Sequence, residues 1–164
     1  MRLFFIKPPM VRFLFNLFPN RISFLFIVLI LAATADFGRA FFTFLALRDA
    51  AQEGAVYASI CPRNGVDIID RARTTSRWPV DLNDPAISIK LTFQNPSFTC
   101  TDVGATHDCD AMLPAPNPGT LVVIEVVHTN FPVTMPFLGG IIGSQTIPIR
   151  AVITDAVLRN DVCN

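Results

Sequence analysis

Residues 22–58, ISFLFIVLILAATADFGRAFFTFLALRDAAQEGAVYA, form a continuous helical pattern that changes character along its length. Its first part, residues 22–35, is apolar and uncharged. The remainder continues without a proline and mixes apolar, small and charged residues in a composition typical of helix. We therefore expect a membrane-anchoring helix that continues beyond the lipid into a folded domain.

The basic residues of the N-terminal segment predict the orientation of this anchor. Arg2, Lys7, Arg12 and Arg21 precede the apolar run, and the first 35 residues contain no acid. Positive charge marks the cytoplasmic side of a span, so we expect the N-terminus inside and the later residues outside. Residues 61–164 carry more acidic than basic side chains, which excludes the basic surface that nucleic-acid binding requires.

The apolar run is short for a span. Residues 22–35 would cover roughly 21 Å of a hydrocarbon layer of ~30 Å. An anchor that continued to Leu47 would be long enough, because Asp36 and Arg39 are spaced i, i+3 and can neutralise each other. We expect these two residues to be interfacial, just outside the lipid, rather than a buried pair.

A secreted protein is the alternative. A short apolar run after a basic leader also fits a signal peptide, and Ala33-Thr34-Ala35 matches the A-x-A cleavage pattern. Cleavage after Ala35 would release a soluble, disulfide-containing domain. The anchored interpretation is favoured because the aromatic residues that follow Asp36 surround more than one face of the helix and would be hard to bury in a small domain.

The chain divides into a basic cytoplasmic leader (1–21), a transmembrane anchor with its continuing helix (22–60) and an exported domain (61–164). Cys61-Pro62 ends the long helix, since a residue before proline avoids the helical region. Residues 65–74 predict a brief helix. Alternating apolar residues predict strands over 87–93, 121–128 and 146–153, the last at a sheet edge because Pro148 lacks an N–H donor.

The expected fold is α+β: a long N-terminal membrane-anchoring helix that continues into a helix packed on a small antiparallel sheet of about three strands. On the continuing part, Ala46, Ala50, Gly54 and Ala58 recur every fourth residue and allow close helix packing. We expect Gly54 and Ala58 to receive the protein's own sheet. Ala46 and Ala50 lie nearer the membrane and could face another subunit.

The four cysteines, Cys61, Cys100, Cys109 and Cys163, all lie on the side assigned to an oxidising exterior. Their even number predicts two disulfides, and we pair Cys100 with Cys109 and Cys61 with Cys163. A zinc site is disfavoured because the spacings contain no CxxC pair.

No catalytic motif is present: the chain contains no GxSxG, HExxH or phosphate-binding glycine loop. His107, Asp108 and Asp110 surround Cys109, where exposed polar residues are expected, and they lack the ligand spacing of a calcium loop. We expect neither enzymatic activity nor a metal or other cofactor.

Several segments together resemble the TadE-like pilus assembly family, whose members are minor pilins or pseudopilins of tight adherence (Flp) systems. The resemblance covers most of the chain from about Ile22. It rests first on DFGRAFF (36–42), with Asp36, Phe37, Gly38 and Arg39 as its motif, and on LRDAAQEGAVYAS (47–59). It extends through the strand at 121–127, the apolar FPVTMPFLGGIIG (131–143) and the closing strand at 146–157.

The resemblance implies a pilin-like, single-pass protein of the bacterial inner membrane, with the lipid bilayer and other pilin, pseudopilin or Tad membrane subunits as partners. One feature of the family is missing. Its prepilin-type leader has a glycine cleavage site and a nearby glutamate, whereas residues 15–24, FNLFPNRISF, contain neither. A membrane-retained accessory is therefore an alternative to a polymerising subunit.

Overall fold

The computed structural model describes residues 21–76, 78, 80–104, 109, 113, 115–134 and 143–159. Along the chain they form α1 (Arg21–Ile60), α2 (Gly65–Thr74), β1 (Ile87–Gln94), β2 (Ser97–Val103), β3 (Leu121–Pro132) and β4 (Thr146–Ala156). The strands form one antiparallel sheet in the order β2-β1-β3-β4. The expected α+β class with a long N-terminal helix is confirmed.

The two helices begin and end where local signals place them. α1 is 40 residues long and ends at Ile60, one residue before Cys61-Pro62. α2 has the bounds expected from its sequence, and its N-terminus is capped by Asn64, whose side chain accepts a hydrogen bond from the Asp67 amide at 3.2 Å. Capping satisfies one of the amides that a first helical turn leaves without a partner.

The sheet has four strands where about three were expected. The additional strand is β2, which forms a hairpin with β1. Its inward positions are Phe98, Cys100 and Asp102, so its buried side is not a run of aliphatic residues. The period-two hydrophobic pattern that reveals the other strands is therefore absent from β2.

The other strands follow their alternation. On β3, Val122, Ile124 and Val126 are fully buried, whereas the residues that alternate with them, Glu125 among them, are more exposed. β4 lies at the edge of the described sheet, as Pro148 predicts.

One face of the sheet packs against α2 and the second half of α1. A side-chain carbon at Gly54 would lie 2.9 Å from Ile124 Cδ1 on β3 and 3.2 Å from Ala72 Cβ on α2. This position therefore needs glycine so that the three elements can approach one another. The second half of α1 belongs to the same hydrophobic core as the strands. The division at residues 60 and 61, where the exported domain was expected to begin, therefore coincides with the end of α1 and not with a gap in the core.

Candidate functional site

The N-terminal part of α1 lies outside the hydrophobic core of the described residues. None of residues 23–35 is buried. Large apolar side chains point outward around the whole helix, namely Phe24, Leu25, Phe26, Val28, Ile30 and Leu31. Within Ser23–Ile60, only 6% of the most apolar window is buried, unlike the core helix of a soluble protein. By length and composition, this helix could be a membrane anchor or a signal sequence.

The folded domain begins to cover α1 at Asp36, the first buried residue of the helix, which is only 6% exposed. Its carboxylate accepts a hydrogen bond from the Thr134 hydroxyl, just beyond the end of β3. A buried carboxylate is costly without such a partner, so this contact joins α1 to the end of β3.

Arg39 completes this junction. Its guanidinium lies 3.5 Å from the Asp36 carboxylate and 5.5 Å from the centre of the Phe131 ring, close enough for a cation–π contact. The Arg39 side chain is half exposed. The chain beyond β3 therefore covers Asp36 within the protein, while Arg39 stays half exposed. That both residues lie at the membrane interface stays a prediction.

The two central residues of the family motif have different surroundings. Phe37 is 73% exposed, on the side of α1 away from the domain. A side-chain carbon added at Gly38 would meet no atom within 4 Å, so close packing in this chain does not require glycine there. The structure therefore gives roles inside the fold to Asp36 and Arg39 alone.

The four small residues that recur every fourth position, Ala46, Ala50, Gly54 and Ala58, face the protein's own core. Ala50 and Ala58 are fully buried, Ala46 is 8% exposed and Gly54 packs on β3 and α2. The expectation that Ala46 and Ala50 could face another subunit is wrong, because the domain extends along α1 as far as Asp36 and covers both positions.

Three of the four cysteines fall within the described residues, and each is disulfide-bonded. Cys100 and Cys109 form a disulfide with their Cα atoms 5.4 Å apart, which ties the segment after β2 to that strand. Cys61 is also disulfide-bonded. Its expected partner, Cys163, lies outside the described residues, as do His107, Asp108, Asp110 and the apolar residues 135–142.

A buried ion pair joins α2 to β2. Arg73 and Asp102 side chains are 3% and 0% exposed, and Arg73 Nη2 lies 2.7 Å from Asp102 Oδ1. The guanidinium also donates to the Leu82 carbonyl. Sequence reasoning missed this pair, although Arg73 follows Ile69 by one helical turn on the apolar face of α2, a position that signals a buried partner.

A cleft of about 280 Å³ opens beside the Asp36 junction, between α1, the loop before β1 and the end of β3. Asp81 and Asp84 line it, but their carboxylates accept hydrogen bonds from the Asn83 and Ala86 amides at 3.0 and 2.7 Å and so hold the loop in shape. Burial lowers the pKa of His128, also in the cleft, and the negative charge of Asp84 opposes that shift.

Across the described residues, no group of three or more histidine, cysteine, aspartate or glutamate side chains could hold a metal ion. α1 has the most distinctive surroundings: it is apolar and unburied over residues 23–35 and is joined to the domain from Asp36 onward. No family model matches the chain, and curated proteins and solved structures give no match either.

Proposed function

We propose that the chain is a non-catalytic, membrane-anchored component of tight adherence pilus assembly, similar to a minor pilin or pseudopilin. The observation that carries this proposal is a single uninterrupted helix with two halves of different surroundings. Residues 23–35 have no protein cover, whereas residues from Asp36 onward pack on an antiparallel sheet. Such a helix can hold a domain at a membrane while leaving the apolar half free for lipid.

The proposed location is the bacterial inner membrane, crossed once, with the N-terminus in the cytoplasm and the domain outside. The basic leader supports this orientation. The Cys100–Cys109 disulfide supports an oxidising compartment for the domain. Partners would be other pilin-like or Tad membrane subunits, which are proposed from the resemblance of residues 36–59 to the TadE-like family.

A deletion strain tests the role. Loss of surface pili, restored by the intact chain, is the expected result. Two variants then separate anchoring from general damage: Leu31→Glu places a charge in the exposed apolar part of α1, and Val152→Glu places one on the exposed face of β4. A charge at the centre of a bilayer span is costly, so only Leu31→Glu should fail to restore piliation. Normal piliation in the deletion strain would refute the proposal.

A secreted domain is the second candidate, and one observation favours it. Among the described side chains of α1 the first buried one is Asp36, directly after the Ala33-Thr34-Ala35 pattern, so cleavage there would leave every side chain described as buried in the released domain. The mature N-terminus distinguishes the two candidates. Protein in the culture supernatant that begins at Asp36 would support secretion, whereas membrane-bound protein that retains residues 22–35 would support the anchor.

A further inference from the structure

Beyond Asp36, α1 has an uncovered aromatic side. Phe37, Phe41 and Phe44 are 73%, 49% and 40% exposed, and the rings of the first two are stacked with their centres 6.4 Å apart. At 100° per residue, the three side chains lie within about 60° of one another around the helix. We call these three residues the phenylalanine face.

The domain covers a different side of the same turns. Asp36, Thr43 and Leu47 are buried against it, and they lie roughly 110° around the helix from the phenylalanine face. Between residues 36 and 47 the helix therefore has buried contacts toward the domain and a row of bare aromatic rings on the phenylalanine face. Phe42, 60% exposed, lies outside that face.

We propose that the phenylalanine face is inserted in the outer leaflet of the bilayer, so that the domain rests against the membrane surface instead of standing clear of it. This inference deepens the proposed anchoring role and rests on it. The uncharged run 22–35 falls about 9 Å short of a ~30 Å hydrocarbon layer, which corresponds to about six further residues. Those residues reach Phe41, and the exposed large apolar side chains among them, Phe37 and Phe41, belong to the phenylalanine face.

Charge placement identifies lipid as the occupant. The charged side chains of this segment, Asp36 and Arg39, turn toward Thr134 and Phe131 of the domain, and none interrupts the phenylalanine face. The next charge on the same side is Arg48, one turn beyond Phe44 and exposed. An apolar face that ends in a cation matches the transition from acyl chains to phosphate headgroups.

Tryptophan fluorescence in vesicles tests the insertion on the full-length chain. Trp78 is first replaced in the variant Trp78→Phe, and one tryptophan is then added back as Phe24→Trp in the anchor, Phe41→Trp on the phenylalanine face or Val152→Trp on β4. All three positions are exposed, which keeps the core intact. Each chain is reconstituted in phosphatidylcholine and phosphatidylglycerol vesicles with or without brominated acyl chains, which quench tryptophan on contact.

The expected result is a loss of emission for Phe41→Trp comparable to that for Phe24→Trp, with emission from Val152→Trp unchanged. If Phe24→Trp is quenched and Phe41→Trp is not, the anchor stands and the inserted face is refuted. A blue-shifted but unquenched Phe41→Trp would show that protein covers the face, which also refutes insertion. If Phe24→Trp is not quenched, the anchoring role itself fails.

Discussion

Replacing Asp102 with alanine tests the buried ion pair between α2 and β2. The variant leaves the Arg73 guanidinium, 3% exposed, without the carboxylate that lies 2.7 Å from it. Breaking a buried pair by removing one partner costs about 3–5 kcal/mol, because the remaining charge stays out of water. A domain of this size has a total stability of about 5–15 kcal/mol, so Asp102→Ala should remove a large part of it.

A surface pair supplies the matched control. Arg150 and Glu125 on neighbouring strands are 2.7 Å apart, but the Arg150 side chain is 61% exposed. Exposed pairs contribute about 0–1 kcal/mol, so Glu125→Ala should cost far less than Asp102→Ala at the same separation of charges. The contrast isolates burial as the source of the effect.

The assay is pulse proteolysis of the full-length chain in detergent across a urea series, with disulfides kept intact. The four chains needed for a double-mutant cycle are the wild type, Arg73→Met, Asp102→Ala and the double variant. The double variant should lose less stability than the sum of the single variants, because it leaves no unpaired buried charge. A cost for Asp102→Ala as small as that of Glu125→Ala, or additive costs in the cycle, would refute the reasoning.

Two further predictions concern the core and the cleft. Gly54→Ala should destabilise the domain by about 1–3 kcal/mol, because its methyl group would lie 2.9 Å from Ile124 Cδ1. The control Gly38→Ala adds a methyl group that meets no atom within 4 Å, so it should leave stability unchanged or raise it by up to about 1 kcal/mol. Equal effects of the two variants in urea unfolding would contradict the packing argument. Burial lowers the pKa of His128 in the folded state below its ordinary value of 6.5. As the pH falls through 6.5, the unfolded chain binds a proton at this histidine before the folded protein does, so the folded protein loses stability. Above pH 6.5 the histidine is neutral in both states and this loss is absent. His128→Gln should flatten the loss of stability between pH 7.5 and 5.5, and an unchanged pH profile would show that this histidine is solvated.

The elements with a clear hydrophobic period were predictable from the chain alone. The end of α1 at Ile60 follows from Pro62, and β1, β3 and β4 follow from alternating residues that put one side of each strand in the core. The apolar run before Asp36 also needed no tertiary information, because its length and lack of charge are properties of the chain itself. These features depend on residues close in sequence, where pattern and conformation are directly linked.

Contacts between distant residues were not predictable. β2 was not predicted from the sequence because a charged residue, Asp102, occupies one of its inward positions. The burial of this carboxylate depends on its ion pair with Arg73 on α2. The burial of Asp36 depends on Thr134, 98 residues away, and the burial of Ala50 depends on how far the domain extends along α1. A local pattern shows which face of an element is apolar. Only the tertiary structure decides what covers that face, because the free energy of burying a group depends on which distant residues contact it in place of water.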